Sequence, residues 1–136
     1  MKRTVLSLLL LALLFLPGCS ADKKRAYYAQ KENYIQVEGT VSWIKYNEDQ
    51  SALYLGFCEL SPSLDDDCLK ITGKNLEIAK NNGIDKKCKI GQRVIFQTAP
   101  RIFGDGYVMP IMALLINGEC LLSFEEGYTG WMDWIA

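Results

Sequence analysis

The sequence predicts a small, mainly β domain in which five strands carry one short helix between the third and the fourth. Three observations support this. Residues 34–44, YIQVEGTVSWI, alternate apolar and polar with the period of two that a half-buried strand requires. Turn chemistry recurs along the chain, most clearly at Gly104-Asp105-Gly106 and Asn117-Gly118. Helix punctuation is concentrated between Asn75 and Gly83, about two turns long. The 136 residues allow one such domain.

In the first strand Ile35, Val37, Val41 and Trp43 fall on one face, and Gln36, Glu38, Thr40 and Ser42 on the other. Gly39 marks a bend or bulge of the kind that curls a sheet. A polar turn leads to a second strand, Ala52 to Phe57, with Leu53, Leu55 and Phe57 together. Residues 58–68, CELSPSLDDDC, form a loop, and Leu69 to Thr72 a short third strand. Asn75 is the expected N-cap of the helix, Glu77 lies in its first turn and Gly83 stops it. Arg93 to Thr98 is the fourth strand, with Val94 and Phe96 inward. Val108 to Ile116 is nearly all apolar, as in a strand covered on both faces, but Pro110 cannot donate to a ladder and predicts a local gap in pairing. Leu121 to Phe124 is a further short strand, and Trp131 and Trp134 stand three apart, within one helical turn.

A small closed sheet with one helix between strands 3 and 4 is the OB arrangement, a five-stranded barrel. On VEGTVSWI, on Lys89-Ile90-Gly91-Gln92-Arg93-Val94 entering the fourth strand and on a cysteine just after the fifth, the chain resembles small bacterial lipoproteins carrying an OB domain similar to transfer-RNA anticodon-binding modules. The resemblance covers residues 34–120 and leaves the Cys58–Cys68 loop and the tail 121–136 unmatched. A lipocalin-like or other small β-barrel is the alternative.

The first 18 residues read as a signal peptide. Lys2 and Arg3 form a positive n-region, and Val5 to Leu16 is an apolar run too short for the ~20 residues of a membrane span. Leu16-Pro17-Gly18-Cys19 resembles the lipobox of bacterial lipoproteins, which implies a lipid-anchored Cys19 and a cell-envelope address. Pro17 departs from the commoner Ala or Ser. Ser20 after the cysteine implies the outer membrane in a Gram-negative envelope, and otherwise the outer face of the cell membrane is expected. Residues 19–33 then read as the lipidated cysteine and a flexible tether, with Lys23, Lys24 and Arg25 on anionic headgroups and Tyr27 and Tyr28 at the interface as the alternative, 34–120 as the β domain and 121–136 as a C-terminal extension.

Four further cysteines, Cys58, Cys68, Cys88 and Cys120, in an exported chain read as two structural disulfides. If strands 4 and 5 turn about Asp105, opposed residues sum to 210 and Cys120 faces position 90, close to Cys88. The loop closed by Cys58 and Cys68 is symmetric about Ser63, matching the junction of strands 2 and 3, and these two are the second expected pair. No CxxC pair and no histidine argue for metal or redox use, so no metal and no cofactor are expected.

Without histidine the usual Ser-His and Cys-His nucleophile pairs cannot form, and no phosphate loop is present, so catalysis is not expected. Beyond residue 18 the chain has 13 basic and 16 acidic side chains, a net −3 that offers nucleic acid no basic groove. Binding remains. In OB folds the loops between strands 1 and 2 and strands 4 and 5 flank the ligand groove. Here they carry Tyr46, Asn47, Arg101, Phe103 and Tyr107, types common at binding hot spots. The expected partner is an envelope protein, peptide or glycan. The alternative is an assembly lipoprotein held beside a larger envelope machine.

Overall fold

The computed structural model describes residues 19–136, with side chains from Asp22 onward. The signal peptide read at 1–18 and the side chain of Cys19 lie outside the described residues. The elements run in chain order as helix α1 (Cys19–Ala29), a 3-10 turn (Lys31–Asn33), strands β1 (Ile35–Tyr46), β2 (Ala52–Ser61) and β3 (Cys68–Thr72), helices α2 (Gly73–Asn81) and α3 (Ile84–Lys87), strands β4 (Arg93–Thr98), β5 (Met109–Pro110), β6 (Ala113–Ile116) and β7 (Glu119–Leu122), and helix α4 (Phe124–Trp134).

The strands form one seven-stranded mixed sheet in the order β5-β3-β2-β1-β4-β6-β7. The chain is thus mainly β, with helix between the third strand and the fourth. It is not the expected five-stranded barrel, because the hydrogen-bonded order has two ends, β5 and β7. Two local features account for the extra strands. Pro110 has no N–H, and the ladder breaks after it: Ile111 N–H donates to Lys70 O of β3 at 2.8 Å, whereas Met112 N–H donates to Gln97 O of β4 at 2.8 Å. Asn117 and Gly118, at φ of 53° and 78°, then make the tight hairpin turn that adds β7. The lipocalin-like alternative fails on the parallel pairing of β3 with β5, since up-and-down barrels are antiparallel.

β1 pairs with β4 on one side and β2 on the other. Its ladder with β2 carries two irregularities. Between the pairs Glu38–Ser61 and Thr40–Cys58 the extra residue belongs to β2, where Glu59 has a φ of 53°. Between Val41–Phe57 and Trp43–Gly56 the extra residue is Ser42 of β1. Val37, Gly39 and Val41 face inward before this bulge, and Ile44 and Tyr46 pack on the core after it. Trp43, expected inward, therefore points outward and is 41% exposed. Inside the sheet Phe57 and Phe96 stack at 4.7 Å, surrounded by Leu55, Leu69, Val94 and Leu114.

Both ends of the described residues belong to the same folded unit. The segment expected as a flexible tether is helical up to Ala29, and Tyr28 is completely buried. The expected extension supplies β7 and α4, with Leu121, Leu122 and Trp131 buried. α4 starts with a capping box: the Ser123 hydroxyl accepts from Glu126 N–H, and the Glu126 carboxylate accepts from Ser123 N–H. It lies so close to the sheet that a Cβ on Gly127 would stand 1.7 Å from Met112 O. Asn75 is not the N-cap of α2, which is Thr72; it is buried, and its Nδ2 donates to Gly127 O at 2.9 Å, bracing α2 against α4.

The expected disulfides Cys58–Cys68 and Cys88–Cys120 are not formed; all four are free thiols. The β4–β6 register does sum to 210, from Val94–Ile116 to Gln97–Ala113, but the Asn117-Gly118 turn folds Cys120 back onto β7 opposite Leu115. Cys120 is exposed there, while Cys88 is buried in the core, where burial pushes its thiol up to about 11. Cys68 pairs with Gly56, so Cys58 is its diagonal neighbour, and its thiol points at Thr40 O of β1 at 3.7 Å. Diagonal neighbours sit roughly 7–8 Å apart, beyond the span of a disulfide.

The contact at Gly127 gives a direct expectation. Gly127→Ala forces α4 off the sheet and should lower stability by about 2–3 kcal/mol or more in urea unfolding. A change within about 0.5 kcal/mol would mean that α4 does not sit against Met112.

Candidate functional site

The bulge at Ser42 exposes a row of side chains on the outer face of β1–β2–β3. Trp43 opposes Gly56, which opposes Cys68, and one step along the ladder Lys45, Tyr54 and Lys70 stand in line. The Trp43 indole lies on Gly56 so closely that a Cβ there would meet its Nε1 at 1.9 Å. A glycine at that position lets the ring lie on the backbone, keeping one side of a large aromatic available. Lys45 is exposed, and Tyr54 and Lys70 are half-buried.

Lys70 links this row to a second feature, an aromatic cluster that fills the space between α1, the β4–β5 loop and α4. Tyr28 lies at its centre, with the rings of Trp131, Tyr27 and Phe103 at 5.3, 5.4 and 5.7 Å. Its hydroxyl is hydrogen-bonded to that of Tyr107. Three cations lie over these rings. Lys24 Nζ is 5.1 Å from the Tyr107 centroid, Arg101 Cζ is 4.8 Å from Phe103, and Lys70 Nζ is 5.7 Å from both Tyr107 and Trp131. Among the described residues the ion pairs are Lys31–Glu125, Lys87–Glu119 and Arg93–Glu38, so none of these three cations is held by a carboxylate. Burial lowers the pKa of Lys70 from its usual value, and the charge of Lys24 lowers it further.

The five residues predicted as one ligand groove are not brought together. Tyr46 ends β1, where its hydroxyl donates to Asp85 of α3 and Lys80 Nζ lies 4.8 Å from its ring. Burial and the Asp85 carboxylate push its phenol up to about 12. Asn47 closes the β1–β2 turn, accepting from Ala52 N–H at 3.0 Å and donating to Ser51 Oγ at 2.9 Å. Arg101, Phe103 and Tyr107 belong instead to the cluster around α1, beside the start of β1, since Ile35 pairs with Thr98. The whole length of β1 separates the two groups. Sequence reasoning missed Trp43, Lys45, Tyr54 and Lys70 as one face, because the bulge that aligns them adds a residue without a glycine to announce it. Tyr28 carried one signal, two adjacent tyrosines in an otherwise polar segment.

Among the described residues no group of three or more His, Cys, Asp or Glu side chains is placed to hold a metal ion. No described helix is long and apolar enough to cross a membrane.

The lowered pKa of Lys70 has a definite sign in stability. Folding penalises its charged form, a penalty present at neutral pH and relieved as pH rises through the folded value towards 10.5. Lys70→Met, similar in length and uncharged, should leave the thermal midpoint unchanged or raise it at pH 7, with the difference shrinking at alkaline pH. A lower midpoint for the variant would show that the cation–π contacts with Tyr107 and Trp131 outweigh desolvation.

No protein family, curated protein or solved structure matches the chain, so its own residues carry the functional reading.

Proposed function

We propose that the chain is an exported lipoprotein, anchored in the cell envelope through Cys19, whose OB-like sheet is a non-catalytic binding module for an envelope protein, peptide or glycan. The OB-like reading is supported by the antiparallel β1–β2–β3 meander, the β1–β4 pairing, the parallel β3–β5 pairing and the helix between β3 and β4. Only Ile111 and Met112 separate β5 from β6, and their amides bond to β3 and β4 in turn. Met109 to Ile116 can therefore be read as one fifth strand bridging the two halves of a curled sheet.

The observation that carries the binding reading is Trp43. A 41%-exposed indole held on a glycine backbone, with Lys45 and Tyr54 beside it, offers a flat apolar surface with polar neighbours on a rigid sheet. Such a surface stacks on a sugar ring or receives an apolar peptide side chain. The partner is an envelope molecule because the apolar leader and the lipobox-like LPGC direct the chain there.

Intact mass spectrometry of the membrane-extracted protein should show a chain beginning at Cys19 with added acyl mass; an intact residue 1 or a cut elsewhere overturns the anchor. Partner binding is tested by placing a photo-crosslinking residue at Lys45 in cells, with Glu119 on β7 as the control position. A discrete adduct from position 45, absent from 119 and lost with Trp43→Ala, is the expected result; Trp43→Ala should remove about 2 kcal/mol or more of affinity. Equal adducts from both positions, or adducts indifferent to Trp43, would place the site elsewhere.

A further inference from the structure

We propose that α1 and the β4–β5 loop together form a docking face for an anionic phospholipid bilayer, so that the domain is held against the membrane in one orientation and does not swing on a tether. Tyr28 and Phe103 lock the two elements to one another. Lys24 Nζ lies 5.8 Å from the Phe103 ring and Arg101 Cζ 4.8 Å from the same ring. Lys23 and Arg25 flank Lys24 on α1 and are exposed. Ile102, next to Arg101, is 37% exposed at the edge of the loop.

Charge distribution identifies the occupant. α1 carries Lys23, Lys24 and Arg25 against Asp22, the β4–β5 loop carries Arg101 against Asp105, and Lys70 lies beside them over Tyr107, net +3. The rest of residues 19–136 holds 8 basic and 14 acidic side chains, net −6. An anionic surface attracts the first group and repels the second, which both binds and orients. The cations near the rings have no carboxylate partner among the described residues, so headgroup phosphates would not have to displace one. An exposed isoleucine beside an arginine suits the boundary between headgroups and acyl chains. α1 includes Cys19, so no spacer separates a lipid there from this face. The inference rests on lipid attachment for its setting, while the surface chemistry stands independently.

The test uses full-length protein extracted with its anchor, its mass recorded, then reconstituted into nanodiscs of phosphatidylcholine alone or mixed with phosphatidylglycerol. Hydrogen exchange is followed in segments 22–27 and 99–106. The expected result is exchange about five-fold slower in both segments on the anionic discs, with the difference lost at molar salt. The Lys23→Glu, Arg25→Glu double variant, at two exposed positions outside the aromatic cluster, should lose the protection with an unchanged thermal midpoint, and Ile102→Ser should weaken it. Equal exchange of the wild type on the two kinds of disc would overturn docking, as would protection confined to the Trp43 face. An unacylated mass would overturn the anchor alone, because the same comparison on vesicles still reads the docking.

Discussion

The architecture depends on one extra residue in β1. Ser42 enters the ladder without a partner in β2, and the inward parity of the strand changes from Val37, Gly39 and Val41 to Ile44 and Tyr46. Without it, Trp43 would be driven into a core already filled by Leu55 and Phe57. With it, β1 keeps an apolar inner face along twelve residues while turning from β4 towards β2. The compensating irregularity in β2, at Glu59, brings Leu60 back onto the core. The candidate binding face thus follows from the way a long strand is bent to serve two partners.

A second constraint joins the first and last described helices, α1 and α4, to this sheet. Gly127 and Gly130 let α4 approach the backbone of Met112 and the side chain of Asn75 at distances no other residue permits. The groove left between α4 and the β4–β5 loop is filled by Tyr28 of α1. Burying a tyrosine of this size stabilises the docked helix by roughly 3 kcal/mol, ample to fix a short helix that would be marginal alone. Helix α1, polar in sequence, is ordered chiefly by Tyr28, with Tyr27 packed on Phe103 beside it, and not by any amphipathic period.

Much of the sheet was legible because alternation and turn chemistry are local. β4 matches its expected span, the Asn117-Gly118 turn forms, and Pro110 does interrupt pairing. The strand sum of 210 also holds, but extending it beyond Ile116 ignored the turn, and with it the Cys88–Cys120 pairing fails. What was not legible is what depends on contacts distant in sequence. Asn75 has the composition of an N-cap and serves as a brace to α4; Trp43 has the spacing of a core residue and faces solvent. Tyr46, at the end of β1, and Phe103, in the β4–β5 loop, flank where an OB groove would lie, yet each is held by a different part of the molecule. Local signals specify strands and turns, whereas a bulge is decided by which register buries more apolar area.

The bulge at Ser42 is therefore the feature to measure. In nuclear magnetic resonance spectra of the folded chain, Trp43 should show cross-strand contacts to Gly56, with the Gly56 α-protons moved upfield by the indole ring, while Val41 contacts Phe57. A regular ladder would instead continue the Val41–Phe57 register and place Trp43 opposite Leu55, with its indole among the core methyl groups. Contacts of that second kind would contradict the outward tryptophan and with it the binding face.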